Sequence, residues 1–191
     1  MDLSMNEVEA QARKAAKGAG YSWGESEEVG KAVRWLCQRG VDGCADLAEL
    51  LQAGPHSKSC PIRLGIQLSD TARNLKDNPM SFDLVSYPML MVPFAAFASA
   101  QIEKPLKVHT DTWSAAVDES AFEKTGESVS NLTALEVALA TGQPKPTALL
   151  SRAHPDAQTW ETLSKFAHRT YAPATEESRM LGAGAGLSDN D

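Results

Sequence analysis

Apolar residues recur every three or four positions through the first fifty residues, and this spacing predicts three amphipathic helices. Met5, Val8, Ala12, Ala15 and Ala16 form one stripe, opened by a Ser4-x-x-Glu7 capping box and closed by Gly18 and Gly20. Val29, Val33, Leu36 and Cys37 form a second. Ser22 and Glu25 repeat the capping box, Glu25, Glu27 and Glu28 place negative charge where the helix dipole favours it, and Arg39-Gly40 ends the element. A shorter third helix is expected from about Gly43 to Leu51, with Leu47, Leu50 and Leu51 inward and Gly54-Pro55 as its stop.

The period then shortens. Ile62, Leu64, Ile66 and Leu68 alternate with Arg63, Gly65 and Gln67, which predicts a strand with one buried face. Asp77-Asn78-Pro79 marks a turn. From Val85 to Ala98 the chain is apolar but interrupted by Pro88 and Pro93, so it reads as an edge or bulged strand, or as two short ones. Leu106, Val108, Thr110 and Thr112 alternate with polar neighbours in a strand expected to run from Leu106 to Val117, with Trp113 breaking the alternation or marking a bulge. Between Ser130 and Thr141 helical and strand periods compete, and strand is the reading preferred. Thr147 to Ser151 is expected as a short strand, and Pro155 to Arg169 as a helix with Trp160, Leu163, Phe166 and Ala167 on one side.

Helices grouped first, strands grouped next and a late helix predict an α+β fold: an N-terminal helical layer packed with a mainly antiparallel β-sheet, one late helix and a Gly/Ala-rich C-terminal segment. Residues 1–171 are read as one domain and 172–191 as a separate compositional zone, packed or flexible.

Composition narrows the partners more than the chemistry. The 191 residues carry 18 Lys+Arg against 25 Asp+Glu, a formal net charge of −7, with 42% hydrophobic residues. That balance is globular, and its acidity argues against nucleic acid, whose affinity for proteins rests on basic residues neutralising phosphates. The one basic cluster, Arg13, Lys14 and Lys17, shares its stretch with Glu7 and Glu9 and reads as a solvated helix face. The acidic start of the chain does not look like a signal peptide, and the apolar run Met89 to Ala98 is far shorter than the roughly 20 residues of a membrane span. Three cysteines, Cys37, Cys44 and Cys60, with no Cys-x-x-Cys pair, suit free thiols in a cytoplasmic protein.

Several segments together carry a resemblance: Asn6-Glu7-Val8-Glu9-Ala10, Lys14 to Gly20, Trp23-Gly24 with Glu27-Glu28, Arg34-Trp35-Leu36, and Tyr171 to Arg179 with Gly182 to Gly186. The chain resembles an uncharacterised bacterial family known only as a domain of unknown function, over nearly its full length. The resemblance implies a single cytoplasmic domain and brings no activity, ligand or catalytic residue.

Candidate chemistry is sparse. Tyr171, Thr175, Glu176, Ser178 and Arg179 gather hydroxyls, a carboxylate and a guanidinium in nine residues, which read as a Thr175 helix cap with Ser178-Arg179 in a short helix or surface turn, or as a set able to hold a small anionic ligand. The glycines at 182, 184 and 186 lack the strand and helix that a nucleotide loop requires, and suit a flexible tail or a segment packed in a groove of its own or a neighbouring subunit, as in a homodimer. His109 and Asp111, two apart on one expected strand, read either as a solvated sheet face or as a polar pair, with His109 serving in proton transfer together with Asp111 or Tyr171. Cys60 with His56 is a weaker nucleophile pair. Cys37 is read as a small core residue. Trp35 and Trp160 are assigned to the core, and Trp23, beside Gly24 at a helix start, to the lining of a pocket. The four histidines show no metal-ligand spacing, and nothing calls for a cofactor. Two functions remain: a noncatalytic cytoplasmic small-molecule-binding or accessory protein, or an enzyme acting on a small anionic metabolite.

Overall fold

A computed structural model describes residues 1–54, 57–127 and 132–170. The three anticipated N-terminal helices are present as α1 (Met5–Gly18), α2 (Trp23–Gln38) and α3 (Gly43–Ala53). Both capping boxes form, Ser4 with Glu7 and Ser22 with Glu25, so each helix begins where its own side chains satisfy the free N–H groups. The late helix α6 (Ala157–His168) is capped by Asp156, which accepts from the N–H of Gln158 and of Thr159, and it packs on α1 and α3. The approach of α1 to α6 is close: a Cβ on Gly18 would lie within 1.8 Å of the Phe166 carbonyl oxygen.

Two expected strands are helices instead. Residues 61–70 form α4 (Pro61–Asp70), in which Pro61, Ile62, Gly65 and Leu68 are buried at helical spacing, while Leu64 and Ile66 are only half-buried. The apparent alternation arose from counting those two as core residues. The run after Val85 likewise turns helical, first as a 3-10 turn (Pro88–Met91) and then as α5 (Val92–Ile102). Each proline stands at the start of its helix, where its missing N–H costs nothing, so the two residues taken as strand breakers are helix initiators.

The sheet is antiparallel throughout, in the order β2 (Met80–Ser86), β6 (Leu132–Leu139), β3 (Leu106–His109), β4 (Trp113–Val117) and β5 (Phe122–Gly126). Residues 106–117, expected as one strand, form the β3–β4 hairpin. Buried Thr110 makes the turn: its Oγ1 accepts from the Trp113 N–H and donates to the Trp113 carbonyl, both at 3.1 Å. Trp113 therefore opens β4 rather than bulging a longer strand. Residues 147–151 are not a strand; the chain there is a strap along β5, joined by Thr147 Oγ1, which accepts from the Phe122 N–H at 2.8 Å. It ends in β7 (Arg152–Ala153), which pairs with β1 (Leu3–Ser4) as a separate two-stranded sheet. The strand preferred over helix near residue 135 is β6, with Leu135 and Val137 buried.

Helix α5 lies between the layers, packed against α4 and α2 on one side and β3 and β4 on the other, and it is buried on nearly every face. Among the described residues the outer face of the sheet has no such cover. Among the described residues no helix is long and apolar enough to cross a membrane.

The α4–α5 contact depends on Gly65, where an added Cβ would come within 2.3 Å of the Phe94 ring. In an open helix Gly65→Ala would stabilise by about 1 kcal/mol through propensity. Here overpacking against a buried ring is expected to win, with a net loss of about 1–3 kcal/mol. Urea denaturation should show a lower midpoint at unchanged slope; a stabilised variant would contradict the α4–α5 packing.

Candidate functional site

The sheet presents one face to α5 and the other to solvent, and strict registration sorts the side chains. Leu106, Val108, Ala115, Val117, Leu135 and Val137 point inward. Outward, the pairings Ser81↔Glu136, Glu136↔His109, His109↔Ser114 and Ser114↔Thr125 draw one polar row across all five strands. A second row runs Ala138, Lys107, Ala116, Glu123. Lys107 thus stands between two alanines, which leave its ammonium group uncovered, and among the described residues it has no ion-pair partner. The Ser114 and Thr125 hydroxyls lie 3.1 Å apart. With Glu123 and the loop 140–144 they border an open cleft of about 290 Å³ at this corner of the sheet. A cation beside two hydroxyls, in a shallow cleft rimmed by backbone, can hold a carboxylate or phosphate oxygen, and Glu123 at the border can meet an amine.

His109 lies in the adjoining row, exposed as its alternation predicted, with Glu136 and Ser114 as lateral neighbours. Asp111 is not on the same strand: it sits in the β3–β4 turn, because the hairpin closes at Thr110. Trp23 stands apart from this cleft. Its ring is exposed at the start of α2, with the Lys17 ammonium 4.9 Å from the ring centre. Trp35 is buried, stacked on the Arg39 guanidinium at 3.9 Å and edge-on to Phe122, and Trp160 packs half-buried against the core. Cys60 is the buried N-cap residue of α4, 3.2 Å from the Tyr21 hydroxyl. Tyr171, Thr175, Ser178, Arg179, the glycines at 182–186 and His56 lie outside the described residues.

Two further features were not legible in the sequence. Asp46, in the first turn of α3, has its carboxyl pushed up to about 7, chiefly by burial, then by Glu49 and Asp42. Close by, Tyr87 adopts a left-handed backbone (φ 45°, ψ 59°) at the entry to the Pro88–Met91 turn, which packs against α3. Burial, then Glu49 and Asp46, raise its phenol above the ordinary range. The second feature is a thiol pair: Cys37, near the end of α2, has its sulfur 4.0 Å from that of Cys44 at the start of α3. Cys37 borders a separate cleft, and among the described residues no group of His, Cys, Asp and Glu is arranged to hold a metal ion.

Residues 3–85 match the family described as protein of unknown function (DUF3726). The match takes in α1 to α4 and all but the last residue of β2, so it includes Asp46 and the thiol pair but ends before the outer-face cleft. The resemblance read at 171–186 falls beyond it. No curated protein and no solved structure matches the chain.

Asp46 gives a pH test with a definite sign. Its carboxyl is harder to ionise in the folded than in the unfolded chain, so its contribution to stability falls as pH rises from about 4 through about 7. Asp46→Asn should equal the wild type near pH 4 and exceed it at pH 8 by about 1 kcal/mol or more, a tenfold change in proton affinity being worth about 1.36 kcal/mol. Thermal melts of both proteins across that range check it, and a variant less stable at pH 8 would contradict the burial.

Proposed function

We propose that this chain is a noncatalytic cytoplasmic binding protein whose ligand is a small anion seated on the outer face of the sheet. The observation that carries the reading is Lys107, isolated between Ala116 and Ala138 and bordering the cleft with the Ser114 and Thr125 hydroxyls. Unpaired cations on a face of small residues cost little to keep, and they bind anions without rearrangement, since no existing ion pair has to break. The clefts of about 210–510 Å³ are open and shallow, and His109 has the exposed neighbours of a binding face, without the enclosure that general acid–base chemistry favours. Three free thiols suit the cytoplasm.

Isothermal titration against small carboxylates, amino acids and phosphate esters tests the proposal. A ligand that binds the wild type should lose about tenfold or more in affinity to Lys107→Ala, about 1.4 kcal/mol. Because Lys107 is exposed, the variant's melting temperature should hold. Undiminished affinity in the variant, or no binding across the panel, would overturn the reading.

One observation favours a second reading, an enzyme acting on a small anionic metabolite: a carboxyl poised near neutrality beside a strained tyrosine is the environment that proton-transfer sites use. An activity with an apparent pKa near 7 that disappears in Asp46→Asn and persists in Lys107→Ala would support this reading over the first.

A further inference from the structure

Cys37 and Cys44 face each other across the joint between two helices, and each is placed differently. Cys37 ends the α2 stripe, and the chain reverses through Arg39, Gly40 in a left-handed conformation (φ 77°), and Asp42, the N-cap of α3. Gly43 makes this reversal tight, since a Cβ there would lie 3.0 Å from the Leu36 side chain. The tightness brings the start of α3 back beside the end of α2, so that the Cys37 and Cys44 sulfurs lie 4.0 Å apart. Both residues are buried, Cys37 with 6% of its surface exposed and Cys44 with none. Cys37 borders a cleft of about 210 Å³, walled on the opposite side by Leu150, Arg152 and His154 of the segment that ends the strap. Arg152 is anchored there by Asp2, to the carboxylate and to the carbonyl oxygen, both at 2.9 Å.

We infer that Cys37 and Cys44 form a reversible two-electron oxidation site, with Cys37 the thiol that meets a hydroperoxide entering the cleft and Cys44 the thiol that resolves it. In the first step the Cys37 thiolate attacks one peroxide oxygen, the O–O bond breaks, and the departing hydroxide (from hydrogen peroxide) takes a proton to leave as water. Cys37 is then a sulfenic acid. In the second, the Cys44 sulfur attacks the Cys37 sulfur, the S–S bond forms and the S–O bond breaks, and the leaving hydroxide takes the Cys44 proton to give a second water. Two thiols are oxidised to one disulfide while one peroxide is reduced, and an external dithiol restores the pair.

The roles follow from the surroundings. The Cys44 thiol and the N–H groups at the start of α3 stabilise a thiolate at Cys37 and pull its pKa down, whereas the Cys37 sulfur and burial push that of Cys44 up. From 4.0 Å the sulfurs must close to a bond of about 2.05 Å. Cys60 is an internal control: it is likewise free and buried, but it has Tyr21 at its sulfur and no place on this cleft.

The full chain, treated with hydrogen peroxide and digested with trypsin without reduction, tests the site. Cleavage after Arg34, Arg39 and Lys58 puts Cys37 and Cys44 on separate peptides, 35–39 and 40–58, which only a disulfide joins. The expected result is that linked pair, formed at least about tenfold faster than any change at Cys60 and lost on adding dithiothreitol. Cys44→Ala should instead leave a sulfenic acid at Cys37 that a dimedone probe captures. Oxidation of Cys60 before Cys37, sulfonic acid at Cys37 beside an untouched Cys44 in the wild type, or no oxidation under conditions that consume free cysteine would each overturn the inference. The wild-type digestion decides the matter even if a variant fails to fold. It is also independent of the anion-binding reading, because Lys107 takes no part in it.

Discussion

Burial of α5 is the constraint on which the rest of the structure depends. This helix is apolar nearly all round, so it cannot lie at a surface and must be covered on both sides. One side is taken by α4 and α2, the other by β3 and β4. The requirement explains why the sheet is one-sided, why Gly65 must carry no side chain, and why buried Ser99 spends its hydroxyl on the Lys104 carbonyl at 2.7 Å as the chain leaves the helix for β3. A core element that needs two covers makes two layers out of one chain.

The functional features follow from those layers. With α5 holding the inner face of the sheet, the outer face is left mainly to polar and small residues whose order is set by strand register. Lys107 is exposed because its cross-strand neighbours are alanines, an accident of pairing between segments about nine and thirty residues away. The helical layer makes its own contribution at the α2–α3 joint, where a reversal that crowds any side chain at Gly43 sets the Cys44 sulfur 4.0 Å from that of Cys37. Asp46 and Tyr87 mark a third place, where α3 meets the turn leading into α5 and the packing burdens both a carboxyl and a backbone angle.

The candidate residues divide along the same line. His109 was legible because strand alternation reports its own face, and Lys107 could have been found by the same alternation had the hairpin partner been known. Cys37 was legible as a core residue and is one, but its second role needed Cys44 across a turn whose geometry no spacing rule reveals. Asp111 was misplaced with the end of β3, since a single buried threonine closes the hairpin there. Trp23, read as a pocket wall, is exposed at the start of α2 with the Lys17 ammonium over its ring.

Local interactions were readable from the chain itself. The capping boxes at Ser4 and Ser22, the helical stripes of α1 to α3 and α6, and the alternation of β3 depend on residues within a few positions of one another, so the sequence determined them and with them the α+β class. Tertiary structure decided everything in which two distant segments compete for the same burial. Residues 61–70 and 92–102 are helices because Gly65 lets one lie on Phe94 of the other, and the prolines that suggested strand edges became first-turn residues once those helices had a partner. Which carboxyl is desolvated, which thiols meet and which lysine is left alone are likewise set by contacts between elements, because desolvation and register are properties of the assembled layers and not of any single stretch of chain.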